Sequence, residues 1–91
     1  GFHGRTLLAT NVTGTEKYRK LAPFHIADIQ FAEFGNIESV KSLIDSNTAA
    51  VILEPVQSMA GCRTASAEFY RELRDLTTSH GAYLVYDEVQ T

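Results

Sequence analysis

The feature that most constrains this fold is an apolar run at residues 82–86 that ends at two acidic residues, Asp87 and Glu88. The run is aromatic and β-branched, and Gly81 precedes it. A short unbroken run of this kind predicts a strand buried on both faces, in a parallel sheet that helices cover. Ligands of such sheets bind beyond the carboxyl ends of the strands. We therefore expect Asp87 either to contact a ligand or to cap the segment that follows it.

A second apolar run predicts a strand over residues 49–54, which ends at Glu54 because Pro55 has no N–H to donate to a ladder. Between the two runs, apolar residues at helical spacing predict a helix over 67–79, with Ser66 as its N-cap. A strand, a helix and a strand in this order predict an α/β fold with a right-handed βαβ unit. Its parallel strands would place Glu54 and Asp87 at one edge of the sheet.

The rest of the chain shows weaker patterns. Asn36 is the expected N-cap of a helix over 37–45, and a short helix is expected to begin within residues 4–10. Residues 29–32 predict a short strand. The remaining segments, 11–20 and 56–65, are expected to be turns and loops.

Composition excludes several classes of function. The 91 residues are 44% hydrophobic, which predicts a globular chain, and the net charge of −3 with no basic cluster argues against nucleic acid as a partner. No apolar run is long enough for a membrane span, and no signal-peptide pattern is present. The single cysteine, Cys62, fits a reducing compartment, and we expect a cytoplasmic protein. The histidines His3, His25 and His80 have no zinc-ligand spacing, so no metal site is expected.

The chain begins at Gly1 without a methionine and stops at Thr91, just after the second predicted strand. We therefore expect an internal segment of a longer protein. The carboxylates Asp87 and Glu88 at a strand end also suit the acidic motif of a P-loop ATPase. That alternative requires a glycine-rich phosphate loop with a Gly-Lys-Ser/Thr end, which these residues lack.

Three clusters taken together are more specific than any one of them. They read FHGRT at residues 2–6, AVILEPVQ at 50–57 and LVYDEVQT at 84–91. In this order they resemble the class III aminotransferases, pyridoxal phosphate (PLP) enzymes of fold type I that include acetylornithine, ornithine and 4-aminobutyrate aminotransferases. The resemblance covers the whole chain. It implies that residues 1–91 are part of the family's large cofactor-binding domain, a mainly parallel sheet flanked by helices.

The resemblance also implies roles for single residues. Asp87 would be the catalytic carboxylate that hydrogen-bonds the pyridine nitrogen of PLP and keeps it protonated. Phe2 and Val89 would lie on the two faces of the ring, and Gln90 would donate to its phenolic oxygen. His3 would belong to the same cofactor-binding group.

Two further residues are implied in substrate binding. Arg5 matches an arginine that contacts a substrate carboxylate, and Glu54 a glutamate expected to orient that arginine. Many relatives carry a second glutamate where this chain has Met59. A thioether cannot pair with a guanidinium, so we expect a substrate that differs from the glutamate/ornithine pattern, such as an amine or aldehyde without an α-carboxylate.

The family transfers amino groups between small amines and carbonyl compounds, and it usually works as a homodimer. Its Schiff-base lysine lies beyond the position of Thr91, and Lys17, Lys20 and Lys41 match no such motif. We therefore expect this segment alone to be inactive. A second alternative is a non-catalytic relative that keeps the fold but lacks the lysine.

Overall fold

The computed structural model describes all of residues 1–91 and contains four helices and four short strands. In chain order these are α1 Leu7–Val12, α2 Glu16–Arg19, α3 Ile37–Leu43, β1 Ala50–Leu53, β2 Val56–Gln57, β3 Arg63–Thr64, α4 Ala67–Ser79 and β4 Tyr83–Tyr86. The chain is therefore α/β.

The predicted βαβ unit is confirmed. Strands β1 and β4 pair in parallel, with Ala50 opposite Tyr83 and Leu53 opposite Tyr86, and α4 connects them. The N-cap of α4 is also confirmed, because the Ser66 hydroxyl accepts the Phe69 N–H at 3.1 Å. At the other end Gly81 has φ +68°, a left-handed conformation that glycine adopts without steric cost and that ends the helix.

The core lies between the two-stranded sheet and the helices α3 and α4. It is built from four buried side chains, Val40, Leu53, Phe69 and Leu73. Helix α3 begins as predicted, because the Asn36 side chain accepts the N–H groups of the second and third residues of the helix.

Only one face of the sheet is covered, so the prediction of burial on both faces is wrong for these residues. On the other face Tyr83 is 78%, Val85 41% and Ile52 38% exposed. The two covering helices pack against the opposite face, where Val51 and Leu84 meet the core. An unbroken apolar run indicates that a strand can be buried on both faces, but each face is buried only where another element packs against it.

Three weaker predictions also need correction. Residues 29–32 form no strand, and Phe31 instead packs under the guanidinium of Arg19 at 4.4 Å from the ring centre. Segment 11–20, expected to be turns, holds the end of α1 and all of α2. Segment 56–65 contains the antiparallel hairpin β2–β3. No helix of this chain has the length and apolar character needed to cross a membrane.

Candidate functional site

The two acidic strand ends lie side by side, as the parallel pairing requires. The backbone N–H of Asp87 donates to the C=O of Leu53 at 2.9 Å, which continues the ladder by one residue beyond β4. Glu54 follows Leu53 directly, so both carboxyl groups leave the same edge of the sheet. The sequence prediction that these two residues converge is confirmed.

The N-terminal residues cross this edge and contact both acids. The backbone N–H of Phe2 donates to Glu54 Oε1 at 2.7 Å. The next residue, His3, joins Asp87 Oδ2 through its ring Nδ1 at 2.8 Å. Two adjacent residues therefore bridge the ends of two strands. Phe2 and Glu54 are 52 positions apart in the chain, and His3 and Asp87 are 84 apart.

A threonine that the sequence analysis missed holds this segment in place. Thr13 is fully buried, and its hydroxyl accepts the His3 N–H at 3.1 Å while donating to the Ala9 C=O at 2.8 Å. One residue further, the Gly14 N–H donates to the Gly1 C=O at 3.0 Å. No local pattern marks Thr13, because a threonine in a turn-rich stretch is ordinary and its partner is ten positions away.

The environment of Asp87 favours its ionised form. The hydrogen bond from His3 is the largest cause that lowers the pKa of Asp87 below its ordinary value of 3.8; partial burial opposes it, and the Val89 N–H adds to it. That N–H donates to Oδ1 at 3.1 Å, so Asp87 also caps the turn that follows β4. Each carboxylate oxygen accepts one of these bonds and retains a second lone pair for another donor.

The other residues implied in cofactor binding differ in their exposure. The ring of Phe2 is half-buried and packs edge to face on Tyr18 at 5.0 Å. Val89 is 87% exposed. Gln90 is exposed, and its side-chain amide makes no hydrogen bond within the chain. Both of these residues lie in the turn that Asp87 caps.

The expected contact between Glu54 and Arg5 is not present. Glu54 is 2% exposed and bonds the backbone of Phe2, whereas Arg5 is exposed and forms no ion pair. Arg5 instead lines an open cavity of about 450 Å³, together with Phe2 and mainly apolar side chains such as Leu7 and Leu21. The substrate-binding roles of Arg5 and Glu54 stay predictions, and the structure assigns Glu54 a contact that sequence reasoning did not foresee.

The residues present fit a protonated pyridine ring. Such a ring presents one flat N–H donor, and Asp87 offers an ionised acceptor at a sheet edge, oriented by His3 and with lone pairs free. The aromatic ring of Phe2 packs on Tyr18 and lines the cavity that also holds Arg5. No group of three or more His, Cys, Asp or Glu side chains is arranged to hold a metal ion.

Comparison with known proteins identifies relatives of this chain. The model of the family "Aminotransferase class-III" matches residues 1–91. An acetylornithine aminotransferase of Archaeoglobus fulgidus is 47% identical over 99% of this chain and 24% of its own length. A LysW-aminoadipate semialdehyde transaminase of Deinococcus radiodurans is 44% identical over the whole chain and 22% of its own length.

Both relatives are aminotransferases by name. The chain belongs to the class III aminotransferase family. It spans about a quarter of the length of the curated relatives that it matches. The alternative of a P-loop ATPase finds no support in these comparisons, and neither does that of a non-catalytic relative.

Proposed function

We propose that residues 1–91 are part of the cofactor-binding domain of a PLP-dependent aminotransferase, which transfers an amino group between an amine or amino acid and a carbonyl acceptor. The observation that carries the proposal is the His3–Asp87 pair at the edge of a parallel sheet, 2.8 Å between Nδ1 and Oδ2. It supplies an ionised, oriented carboxylate where α/β proteins bind ligands.

When bound, PLP supplies a protonated ring that withdraws electrons from the carbon atom that bears the transferred amino group. In the proposed site Asp87 accepts the hydrogen bond of the ring nitrogen and keeps the proton there. His3 acts through Asp87, because its ring nitrogen orients Oδ2 and favours the ionised carboxylate. Phe2 and Val89 are the proposed apolar contacts on the two ring faces, and Gln90 is the proposed donor to the phenolic oxygen.

Arg5 is the proposed contact of a substrate carboxylate. It is a charged side chain on the wall of a largely apolar cavity, which suits an acid with an apolar or neutral body. Met59 lies in the turn between β2 and β3 and is 50% exposed. We infer from the thioether at this position a preference for an amine or aldehyde that lacks an α-carboxylate.

The Met59 inference is tested with the full-length enzyme and its Met59→Glu variant on a panel of ω-amines and α-amino acids. The expected result is a shift of kcat/KM toward α-amino acids in the variant. An unchanged ratio of the two substrate classes contradicts this inference but leaves the aminotransferase proposal intact.

The complete protein is proposed to be a cytoplasmic homodimer whose Schiff-base lysine lies outside residues 1–91. The 91 residues by themselves are then inactive, because a PLP enzyme needs that lysine as its covalent attachment point. Size-exclusion chromatography with light scattering on the full-length protein measures the oligomeric state. A monomer that transaminates at full rate contradicts the dimer.

The function itself is tested by adding PLP to the full-length apoprotein and following the visible absorbance of the bound cofactor. We expect PLP to bind saturably. In a coupled assay we also expect the amino group of an added donor to be transferred to a keto acid. Absence of PLP binding refutes the proposal. Hydrolysis of ATP by a protein that does not bind PLP would revive the P-loop alternative.

A further inference from the structure

One hydroxyl group on α4 ties together both ends of the hairpin β2–β3. The Tyr70 Oη donates to the C=O of Pro55 at 2.5 Å, just before β2. It also accepts the N–H of Ala65 at 3.1 Å, just after β3, and contacts the Thr64 hydroxyl at 3.3 Å. A phenol has one donor and two acceptor lone pairs; here the Pro55 C=O takes the proton and the Ala65 N–H takes one lone pair.

The hairpin depends on such an anchor. Its ladder has only two residue pairs, Val56 with Thr64 and Gln57 with Arg63. A two-stranded hairpin of this size is marginal in water without packing against another element. The contacts of Tyr70 join the base of the hairpin to a 13-residue helix that carries two core residues, Phe69 and Leu73.

The ring of Tyr70 reaches the second strand end as well. It packs edge to face against Phe69 at 5.5 Å and against Tyr86 at 6.2 Å. Tyr86 immediately precedes Asp87, and Pro55 immediately follows Glu54. One side chain therefore touches the neighbour of each acidic residue at the sheet edge, through its hydroxyl on one side and its ring on the other.

The hairpin in turn lies against the N-terminal segment. A Cβ placed on Gly1 would collide with Glu54 Oε1 and would lie 3.5 Å from the amide nitrogen of Gln57. Glu54 and Gln57 are both buried, at 2% and 7% exposure. A movement of the hairpin base would therefore displace Glu54 and, with it, the backbone of Phe2 that Glu54 holds.

We propose that Tyr70 is a positioning residue for cofactor binding. Its hydroxyl fixes residues 55–65 and, through Glu54, the placement of Phe2 and His3 beside Asp87. This inference rests on the proposed PLP function. It extends that function to a side chain that contacts neither cofactor nor substrate.

The test compares Tyr70→Phe with Tyr83→Phe in the full-length protein. Both variants lose one phenolic oxygen. Tyr83 is the control, because it is 78% exposed and its hydroxyl makes no hydrogen bond. In Tyr70→Phe we expect amide hydrogen exchange of peptides covering 55–65 to accelerate about tenfold and the Kd for PLP to rise about tenfold. The visible circular dichroism of bound PLP should also change, because it depends on how the ring is held. Tyr83→Phe should match the wild type in all three measurements.

Several outcomes overturn the inference. The first is that amide exchange of residues 55–65 is unchanged in Tyr70→Phe, and the second is that both variants have equal effects. The third is that the loss of PLP affinity is fully explained by a lower melting temperature of the apoprotein. A wild-type protein that binds no PLP refutes the proposed function instead. In that case the exchange measurement still decides whether Tyr70 anchors the hairpin, because it needs no cofactor.

Discussion

Glu54 and Asp87 leave the same edge of the same sheet, and yet the structure places them in different environments. Glu54 is 2% exposed and accepts a backbone N–H from Phe2. The Asp87 side chain is 16% exposed and accepts a hydrogen bond from the ring Nδ1 of His3. The comparison shows that the partner of a carboxyl group, rather than its position in the topology, decides what the group can do.

The two environments affect different measurable quantities. A buried carboxyl that satisfies a backbone donor contributes mainly to stability, because its removal leaves that donor without a partner. A carboxylate that retains lone pairs and some exposure can accept a ligand at little structural cost. Replacement of Glu54 should therefore lower the free energy of unfolding and affect PLP binding only indirectly, through the placement of Phe2. Replacement of Asp87 should change the binding of PLP directly.

The largest expected effect is that of Asp87→Asn on the full-length enzyme. The variant keeps the shape of the side chain but loses the charge that holds the ring nitrogen. A charge-assisted hydrogen bond of about 1.5–3 kcal/mol corresponds to a rise in the Kd for PLP of roughly 10- to 150-fold. Titration of the apoprotein with PLP, followed by absorbance, measures the change.

Asp75→Asn is the matched control, since Asp75 is an exposed aspartate on α4 with no hydrogen bond or ion pair. It should bind PLP like the wild type. If Asp87→Asn also retains wild-type affinity, Asp87 is a capping residue only and the contrast with Glu54 disappears.

The second effect concerns stability and separates two replacements of Glu54. Glu54→Ala leaves the Phe2 N–H without an acceptor, which should lower the free energy of unfolding by about 1–3 kcal/mol. Glu54→Gln keeps an oxygen in reach and should cost less than about 1 kcal/mol. Denaturant unfolding of the apoprotein gives both values. Equal losses for the two variants would mean that the contact with Phe2 is not what Glu54 contributes.

A smaller effect is expected for His3→Ala, which removes the donor to Asp87 but leaves the carboxylate. The Kd for PLP should rise about fivefold, since one hydrogen bond contributes on the order of 1 kcal/mol. His25→Ala is the control, because His25 is exposed and makes no side-chain hydrogen bond. A loss as large as that of Asp87→Asn would show that His3 contacts the cofactor itself.

The smallest effect is a pH dependence of stability. The folded-state pKa of Asp87 is lowered below 3.8, chiefly by the hydrogen bond from His3. Ionised Asp87 therefore stabilises the folded state above pH 3.8, and this contribution is lost as the pH falls through the lowered pKa. The difference in unfolding free energy between wild type and Asp87→Asn should be constant above that pH and shrink below it. In a His3→Ala background the total loss should be smaller and should be complete at a higher pH, because the folded-state pKa of Asp87 then lies closer to 3.8.

Local patterns predicted the elements that local interactions stabilise. The bounds of α4, its Ser66 cap and its Gly81 terminus could be read from side chains within a few residues of each helix end. The apolar runs indicated β1 and β4, and the parallel pairing followed from the order of elements. The strand expected at 29–32 was wrong because β-propensity without a partner strand forms no ladder.

The hairpin β2–β3 and the docking of residues 1–3 could not be predicted in this way. Each is held by contacts between residues far apart in sequence, such as Thr13 with His3 and Tyr70 with Pro55. These donors and acceptors have no period and no fixed spacing. Their partners are neighbours only in the folded chain.

By itself the sequence determined that two acidic residues meet at the edge of a parallel sheet, because hydrophobic periodicity and chain order are sufficient for that. The tertiary structure alone decided which of the two carboxyl groups holds the backbone and which remains available to a ligand. The physical reason is that a hydrogen bond depends on distances of about 3 Å. Such distances are set by packing across the whole chain.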